Sequence, residues 1–172
     1  ALTITGPGAT NLIVSGNNSN RVFVVPSNAI VSAIGLTVAN GLTTYRAGPN
    51  SWYIGAGIMN WGTLTLSNCV ITSNTTGLNA SGTGGGIYNG GKLKLIHSIV
   101  SWNFARVAGG LWNDQSGQAV VADITFLGND TDLGGGAVYN IGSLVITNCA
   151  FSGNGNMGTA GSAIEAGGTT TL

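Results

Sequence analysis

The sequence predicts an all-β protein, a single-stranded right-handed parallel β-helix (β-solenoid) that forms one domain over residues 1–172. Three observations predict it: a segment that recurs about every 25–29 residues, period-two alternation within each copy, and glycine-rich turns between the alternating segments. Period-two alternation is typical of a strand with one buried face. A single coil cannot bury that face alone, so we expect the coils to stack on one another.

The repeat unit occurs in four full copies and the start of a fifth. The second copy follows the first at a distance of 29 residues without a gap, and the third carries two extra residues. Segment 31–41 matches the strand half of the unit, and residues 2–5 and 12–15 are expected to form earlier strands. The copies cover residues 55–74, 84–103, 108–129, 135–154 and 161–172.

Apolar and polar residues alternate within each copy. Leu64 and Leu66 are expected to point into the core, with their neighbours pointing outward. The same alternation in the next copy places Lys92 and Lys94 on the outer face, where charge discourages unwanted sheet pairing. No stretch has the period of an amphipathic helix, so the sequence predicts strands and turns only.

Two asparagine positions recur in the unit, and each is expected to form a column along the stack. Equivalent residues of adjacent coils should lie about 4.8 Å apart, close enough for their side-chain amides to bond between coils. Asparagine also tolerates the unusual φ of a bend. We interpret both columns as structural, with ligand binding as the less favoured alternative. The first column contains Asn74, Asn103, Asn129 and Asn154, and the second contains Asn60, Asn89, Asn113 and Asn140.

The units resemble the repeats of polymorphic outer-membrane proteins and related secreted bacterial repeat proteins. Those repeats carry a Gly-Gly-Ala-apolar motif, matched here by residues 135–138, and a Phe-x-x-Asn motif, matched by residues 126–129 and 151–154. The resemblance covers about residues 30–172. It implies a β-helix in a secreted, extracellular or cell-surface setting, where members of that family often act as adhesins.

Composition restricts the classes of function. Charged residues make up 6% of the chain, with five basic residues against five acidic ones. Nucleic-acid binding calls for a basic stripe, so we expect no nucleic-acid partner. No run of 18 apolar residues is present, so we expect no membrane span. Since 43% of the residues are hydrophobic, a packed core is expected instead of disorder.

The titratable residues give no indication of a catalytic centre. β-Helix enzymes that cleave polysaccharides need clustered carboxylates in a groove, whereas Asp130 and Asp132 have no second acidic pair in the adjacent coils. His97 is expected at a bend without an acidic, Cys or His partner in its column, which argues against a metal site or a nucleophilic triad. The sequence thus predicts no catalytic, cofactor-binding or metal-binding residues. A polysaccharide lyase or hydrolase is the least favoured alternative.

The two cysteines occupy the same position of the unit. Cys69 and Cys149 are expected to lie three coils apart, about 14 Å at 4.8 Å per coil, which is too far for a disulfide. Both are expected to be small buried residues.

Aromatic residues precede the asparagines of the second column. The residue before each of these aromatics is apolar and is expected to point inward, so the aromatics themselves should point outward. Mutual support of stacked rings across coils is the favoured interpretation. The alternative is an exposed contact stripe for sugar rings or another protein. The stripe would contain Tyr88, Trp112 and Tyr139.

Two hypotheses of function follow. The favoured one is a secreted structural protein, a self-assembling subunit of an extracellular filament or surface layer whose coils stack end to end. The alternative is a fragment of a cell-surface adhesin or glycan-binding β-helix, with a surface glycan or a host or cell-surface protein as partner. Because the sequence opens on an apparent strand and closes inside a repeat, the assembly ends are expected at Leu2, Ile4, Thr170 and Leu172.

Overall fold

The computed structural model describes residues 1–43, 53–77, 82–155 and 163–172. These residues form a parallel β-solenoid of about six coils with about 26 residues per turn, which confirms the predicted fold class. They contain twenty-one strands and no helix, so this part of the chain offers no helical membrane span. Gly161 and Ser162, which begin the fifth copy of the repeat, lie outside the described residues.

The largest sheet has eleven strands arranged in two strips that meet at a bend. The first strip contains β1 (Leu2–Thr5), β4 (Ile30–Ile34), β8 (Thr63–Ser67), the first half of β12 (Lys92–Ser101), the first half of β15 (Gln118–Leu127), β18 (Ser143–Thr147) and β21 (Thr169–Thr171). The second strip contains β2 (Ile13–Ser15), β5 (Thr37–Ala39), β9 (Val70–Thr72), the second halves of β12 and β15, and β19 (Ala150–Ser152).

Two smaller sheets complete each coil. The four-stranded sheet contains β6 (Leu42–Thr43), β10 (Thr75–Thr76), β13 (Phe104–Val107) and β16 (Asp130–Leu133). The six-stranded sheet contains β3 (Phe23–Val25), β7 (Ile58–Asn60), β11 (Ile87–Asn89), β14 (Leu111–Asn113), β17 (Val138–Asn140) and β20 (Ile164–Ala166). The expected strands at residues 2–5, 12–15 and 31–41 correspond to β1, β2, and β4 with β5.

The core is a bundle of straight columns, each built from one inward-pointing residue per coil. On the first strip, Leu64 pairs with Leu93, and Leu93 pairs with Ala119 of the following coil. On the second strip, the rings of Phe126 and Phe151 stack with centroids 5.0 Å apart and planes 3° apart. In-register parallel pairing places like residues over like residues, so the repeat in the sequence becomes a continuous apolar core.

The bend between the two strips has left-handed backbone geometry. Asn68, His97, Asp123 and Asn148 occupy it in successive coils, with φ between 47° and 57°. Short polar side chains tolerate this conformation better than bulky or β-branched ones. Because strands β12 and β15 run through the bend without a break, the two strips remain one sheet.

The cysteines lie beyond this bend, in one column of the core. Both are free thiols, and Cys69 is fully buried. Cys149 is only half-buried, contrary to the expectation that both would be buried. It precedes β19, which pairs with β15 on one side alone among the described strands, so less of the chain covers it.

Candidate functional site

The first asparagine column is a hydrogen-bonded ladder, as predicted. The side-chain nitrogen of each asparagine donates to the side-chain oxygen of the asparagine in the next coil, at 2.9 Å for all three steps from Asn74 to Asn154. The backbone N–H of the same residue donates to that oxygen as well, for example from Asn103 to Asn129 at 3.2 Å. The second amide hydrogen of Asn103 bonds to the carbonyl of Ile71 at 2.9 Å.

The second column forms an equivalent ladder with shorter bonds. Its three amide-to-amide steps, from Asn60 to Asn140, are all 2.7 Å long. Asn140 continues the series by donating to the side-chain oxygen of Thr170 at 2.9 Å. All four asparagines of this ladder are fully buried.

The ladders satisfy polar groups inside the solenoid without any ligand. The amide-to-amide bonds all run in one direction, with the donor in one coil and the acceptor in the next coil toward the C-terminus. Buried polar groups are tolerated when they are hydrogen-bonded, and these amides engage both their oxygens and their nitrogens. The geometry therefore supports a structural role, in which the ladders fix the register of one coil on the next.

Close approach between coils explains a glycine column beside the second ladder. A Cβ on Gly91 would lie 2.2 Å from the carbonyl oxygen of Gly62, and one on Gly142 would lie 2.2 Å from that of Asp114. Real Cβ atoms do not approach an oxygen so closely, so larger residues at this turn would push the coils apart.

Tyr88 does not fit the alternative of an exposed contact stripe. Tyr88 is only 7% exposed, because the ring of Trp61 lies against it with centroids 5.1 Å apart. Trp61 reaches that position across Gly90, where a Cβ would lie 2.3 Å from the indole ring. The small residue at position 90 thus lets a turn of one coil cover the next coil.

Trp112 and Tyr139 are half-buried and stack on each other. Their ring centroids are 4.7 Å apart, with only 2° between the planes. The indole nitrogen of Trp112 donates to the carboxylate of Asp114 at 3.3 Å. Burial raises the pKa of Tyr88 well above its ordinary value, and the charge and hydrogen bond of Asp114 raise it further. These contacts fit mutual support of rings across coils, the interpretation favoured from the sequence.

His97 has an acidic partner in its column, which corrects the expectation that it has none. Its Nε2 atom lies 3.2 Å from a carboxylate oxygen of Asp123 in the next coil. Asn148 donates to the other oxygen of Asp123 from the coil beyond. The two extra residues of the third copy lie in the turn before β15, so the strand itself keeps its register and brings Asp123 over His97. The side chain of His97 is 59% exposed and that of Asp123 is 39% exposed.

The outer face of the first strip carries the chain's two lysines. Both Lys92 and Lys94 are exposed, and they line a shallow groove of about 380 Å³. Hydroxyl and amide side chains of the neighbouring coils lie on either side, notably Thr63 and Gln118. Val120 and Val145 lie on the same open face, so it mixes polar and apolar side chains.

The four expected assembly residues lie at the two end faces of the solenoid. Leu2 is the first residue of a core column that continues at Val31, yet its side chain is 55% exposed. Ile4 lies beside it and is partly buried. A small apolar cavity of about 80 Å³ opens behind them. At the opposite face, Thr170 pairs with Leu144 and Leu172 is 84% exposed.

A groove at the corner before the first ladder is a site that the sequence analysis missed. It measures about 460 Å³ and contains Trp102, which is 63% exposed. The signal that could have found it is the column itself, where Trp102 replaces residues that accept a left-handed backbone. The groove is lined by Trp102, Asn103, Phe104, Gly128, Asp130, Gly153 and Gly155.

Within the described ranges, no three His, Cys, Asp or Glu side chains gather where they could hold a metal ion. The geometry defines the class of protein: a parallel β-solenoid with two internal asparagine ladders. No family model matches the chain, nor does any curated protein or solved structure. The similarity to polymorphic outer-membrane protein repeats therefore rests on the motifs alone, and what is shown is the solenoid and its ladder.

Proposed function

We propose that this chain is an extracellular structural protein whose solenoids stack end to end into a filament or surface layer. The observation that carries the proposal is the match between the two end faces. If the register of the coils continues from one copy into the next, Leu2 follows Thr170 and Ile4 follows Leu172. This follows from the core columns, in which Leu2 and Ile4 hold the positions that Leu144 and Ile146 hold five coils later.

The chemistry of the faces supports the same arrangement. Strands β1 and β21 each have one neighbour among the described strands, so each presents a row of backbone donors and acceptors on its other side. A second copy placed in register would pair these groups. It would also cover Leu172 and close the apolar cavity behind Leu2.

Repeated head-to-tail contact of this kind does not close on itself, so it generates a fibre. The low charge of the chain opposes stacking only weakly, since five basic and five acidic residues cancel. The extracellular setting is part of the proposal and is supported by the resemblance of the repeats to those of secreted bacterial proteins.

The experiment is sedimentation velocity of residues 1–172 over a series of concentrations, with negative-stain microscopy of the same samples. We expect species that lengthen with concentration at constant width. Leu172→Glu should return the protein to a monomer because it places a charge opposite Ile4, whereas the apolar control Leu172→Ile should assemble.

Either of two results would overturn the proposal. One is a monomer at every concentration with no ordered fibres. The other is assembly that Leu172→Glu leaves unchanged, since contact would then lie on the lateral faces. Leu172 is mostly exposed, so neither substitution should change the melting temperature, and circular dichroism checks that each variant is folded.

A further inference from the structure

The corner groove that contains Trp102 lies on the side of the solenoid, away from the end faces and separate from the proposed assembly. Trp102 has a φ of 54°, in the left-handed region. The residues at the same corner of other coils are Asn40, Ser73, Gly128 and Gly153, which are short or lack a Cβ. A bulky aromatic residue is unfavourable in this conformation.

The packing of the solenoid does not account for the tryptophan. Most of its side chain is exposed to solvent, so it contributes little to the buried core. A residue that violates a local backbone preference without a gain in packing is a candidate for function.

The glycines of the following coils shape the space beside the ring. The indole lies against Gly128, where a Cβ would be 2.6 Å from two ring carbons. Beyond it the floor is open: a Cβ on Gly153 would have its nearest neighbour at 4.0 Å, and one on Gly155 would have none within 4 Å. One edge of the indole is thus fixed on the backbone, and a shallow trough remains next to it.

Asp130 and Phe104 are among the residues that line the same trough. Asp130 pairs in register with Phe104 of the preceding coil, and both are half-buried. One carboxylate oxygen of Asp130 accepts a hydrogen bond from the backbone of Thr131 at 2.8 Å. An ionised carboxylate has about four acceptor positions, so Asp130 retains the capacity to accept bonds from a ligand.

We propose that this groove binds one ring of a neutral glycan. A pyranose presents an apolar C–H face, which would stack on the indole of Trp102, and hydroxyl donors, which would reach the Asp130 carboxylate. The carboxylate disfavours acidic sugars by charge. A protein partner would need an interface of about 1,000 Å² or more, whereas the trough has the size of a single small molecule.

The experiment is ¹⁹F NMR of the full chain labelled with 5-fluorotryptophan, titrated with methyl glycosides of neutral hexoses and N-acetylhexosamines. We expect saturable movement of the Trp102 resonance, which is assigned by its loss in Trp102→Gly, for at least one sugar in the panel. Asp130→Asn should weaken that binding about tenfold by removing a charged acceptor. Trp102→Phe should keep weakened binding, and Trp102→Gly should abolish it when followed by calorimetry.

Two controls keep folding apart from binding. Trp102→Gly supplies the residue that this backbone prefers, so its melting temperature should equal or exceed that of the parent protein. Trp112→Phe changes an aromatic residue outside the groove and should bind like the parent. The proposal is overturned if no sugar in the panel gives a saturable shift, if Trp102→Gly still binds, or if only choline or a lysine peptide binds, which would make the groove a cation site.

Discussion

The side-chain oxygen of Asn129 accepts two hydrogen bonds from Asn103, one from its amide nitrogen at 2.9 Å and one from its backbone nitrogen at 3.2 Å. Each step of the first ladder therefore couples both the side chain and the backbone of one coil to the coil that follows. Removal of one amide leaves two buried donors of the preceding coil without an acceptor. The penalty for such orphaned groups exceeds the net gain of an ordinary hydrogen bond.

Replacement of Asn103 by Ala should consequently destabilise the protein by about 1–3 kcal/mol. Asn74 would lose the acceptor for its amide and for its backbone N–H. Replacement of the exposed Lys94 by Ala should cost less than about 0.5 kcal/mol. Urea unfolding monitored by circular dichroism measures both free energies of unfolding. Equal losses in the two variants would contradict the structural role of the ladder.

Two buried threonines of the four-stranded sheet differ in how their hydroxyls are satisfied. Thr76 is fully buried, and its hydroxyl has no hydrogen-bond partner among the described residues. The hydroxyl of Thr131 lies 2.7 Å from the carbonyl oxygens of Arg106 and Leu133 and accepts a bond from the Leu133 backbone. Thr76→Val should stabilise the protein by about 1 kcal/mol, since an unpaired buried hydroxyl is replaced by a methyl group.

Thr131→Val is the matched control for that prediction. The same substitution, at a fully buried position of the same sheet, removes a bonded hydroxyl and should destabilise the protein by about 1–2 kcal/mol. Differential scanning calorimetry should then show melting temperatures that move in opposite directions for the two variants. A loss of stability in both would mean that Thr76 has a bonding partner.

The register of the coils could be predicted from the sequence because parallel stacking forces equivalent residues into one column. The repeat spacing alone therefore placed both ladders and the shared column of Cys69 and Cys149. Contacts made outside the strands could not be predicted in this way. Trp61 covers Tyr88 from a turn, and it can do so because Gly90 leaves room for its ring in the folded chain.

An insertion and an unusual residue within a column made two features hard to predict from the repeat, the His97–Asp123 pair and the groove beside Trp102. The third copy has two extra residues in the turn before its strand. Alignment of the copies on Asn129 and Asn103 is therefore needed to see that Asp123 pairs with His97. Trp102 breaks the pattern of its column, yet its exposure depends on the glycines that follow it in space. A repeat predicts what coils share, whereas these sites depend on what one coil has and its neighbours lack.

Tyr88 should make the stability of the protein fall at alkaline pH. Its pKa is raised in the folded state, chiefly by burial and also by Asp114, above the value of about 10 for an unfolded chain. Below pH 10 the phenol is protonated in both states, so its contribution is fully present. At higher pH the unfolded state loses the proton first, and the stability decreases until Tyr88 ionises in the folded state.

The measurement is the free energy of unfolding from urea titrations between neutral pH and pH of about 11. Tyr88→Phe should flatten the alkaline decline relative to the parent protein. Asp114→Asn should reduce it, because the charge that raises the pKa of Tyr88 is removed. An unchanged slope in Tyr88→Phe would show that other groups cause the decline.

The two thiols should differ in reactivity and should not be bonded to each other. Cys69 is 1% exposed, whereas Cys149 is half-buried with its sulfur 3.2 Å from the carbonyl oxygen of Thr147. Burial is the main cause that raises the pKa of Cys149 above that of an ordinary thiol. Because the thiolate is the reactive form, labelling of the folded protein by iodoacetamide should be slow at neutral pH and accelerate at a higher pH than for a free thiol. Mass spectrometry should find the label on Cys149 first in the folded protein and equal labelling of both cysteines in urea. It should find no disulfide between them in samples without reductant. A Cys69–Cys149 disulfide would contradict the stacking register itself.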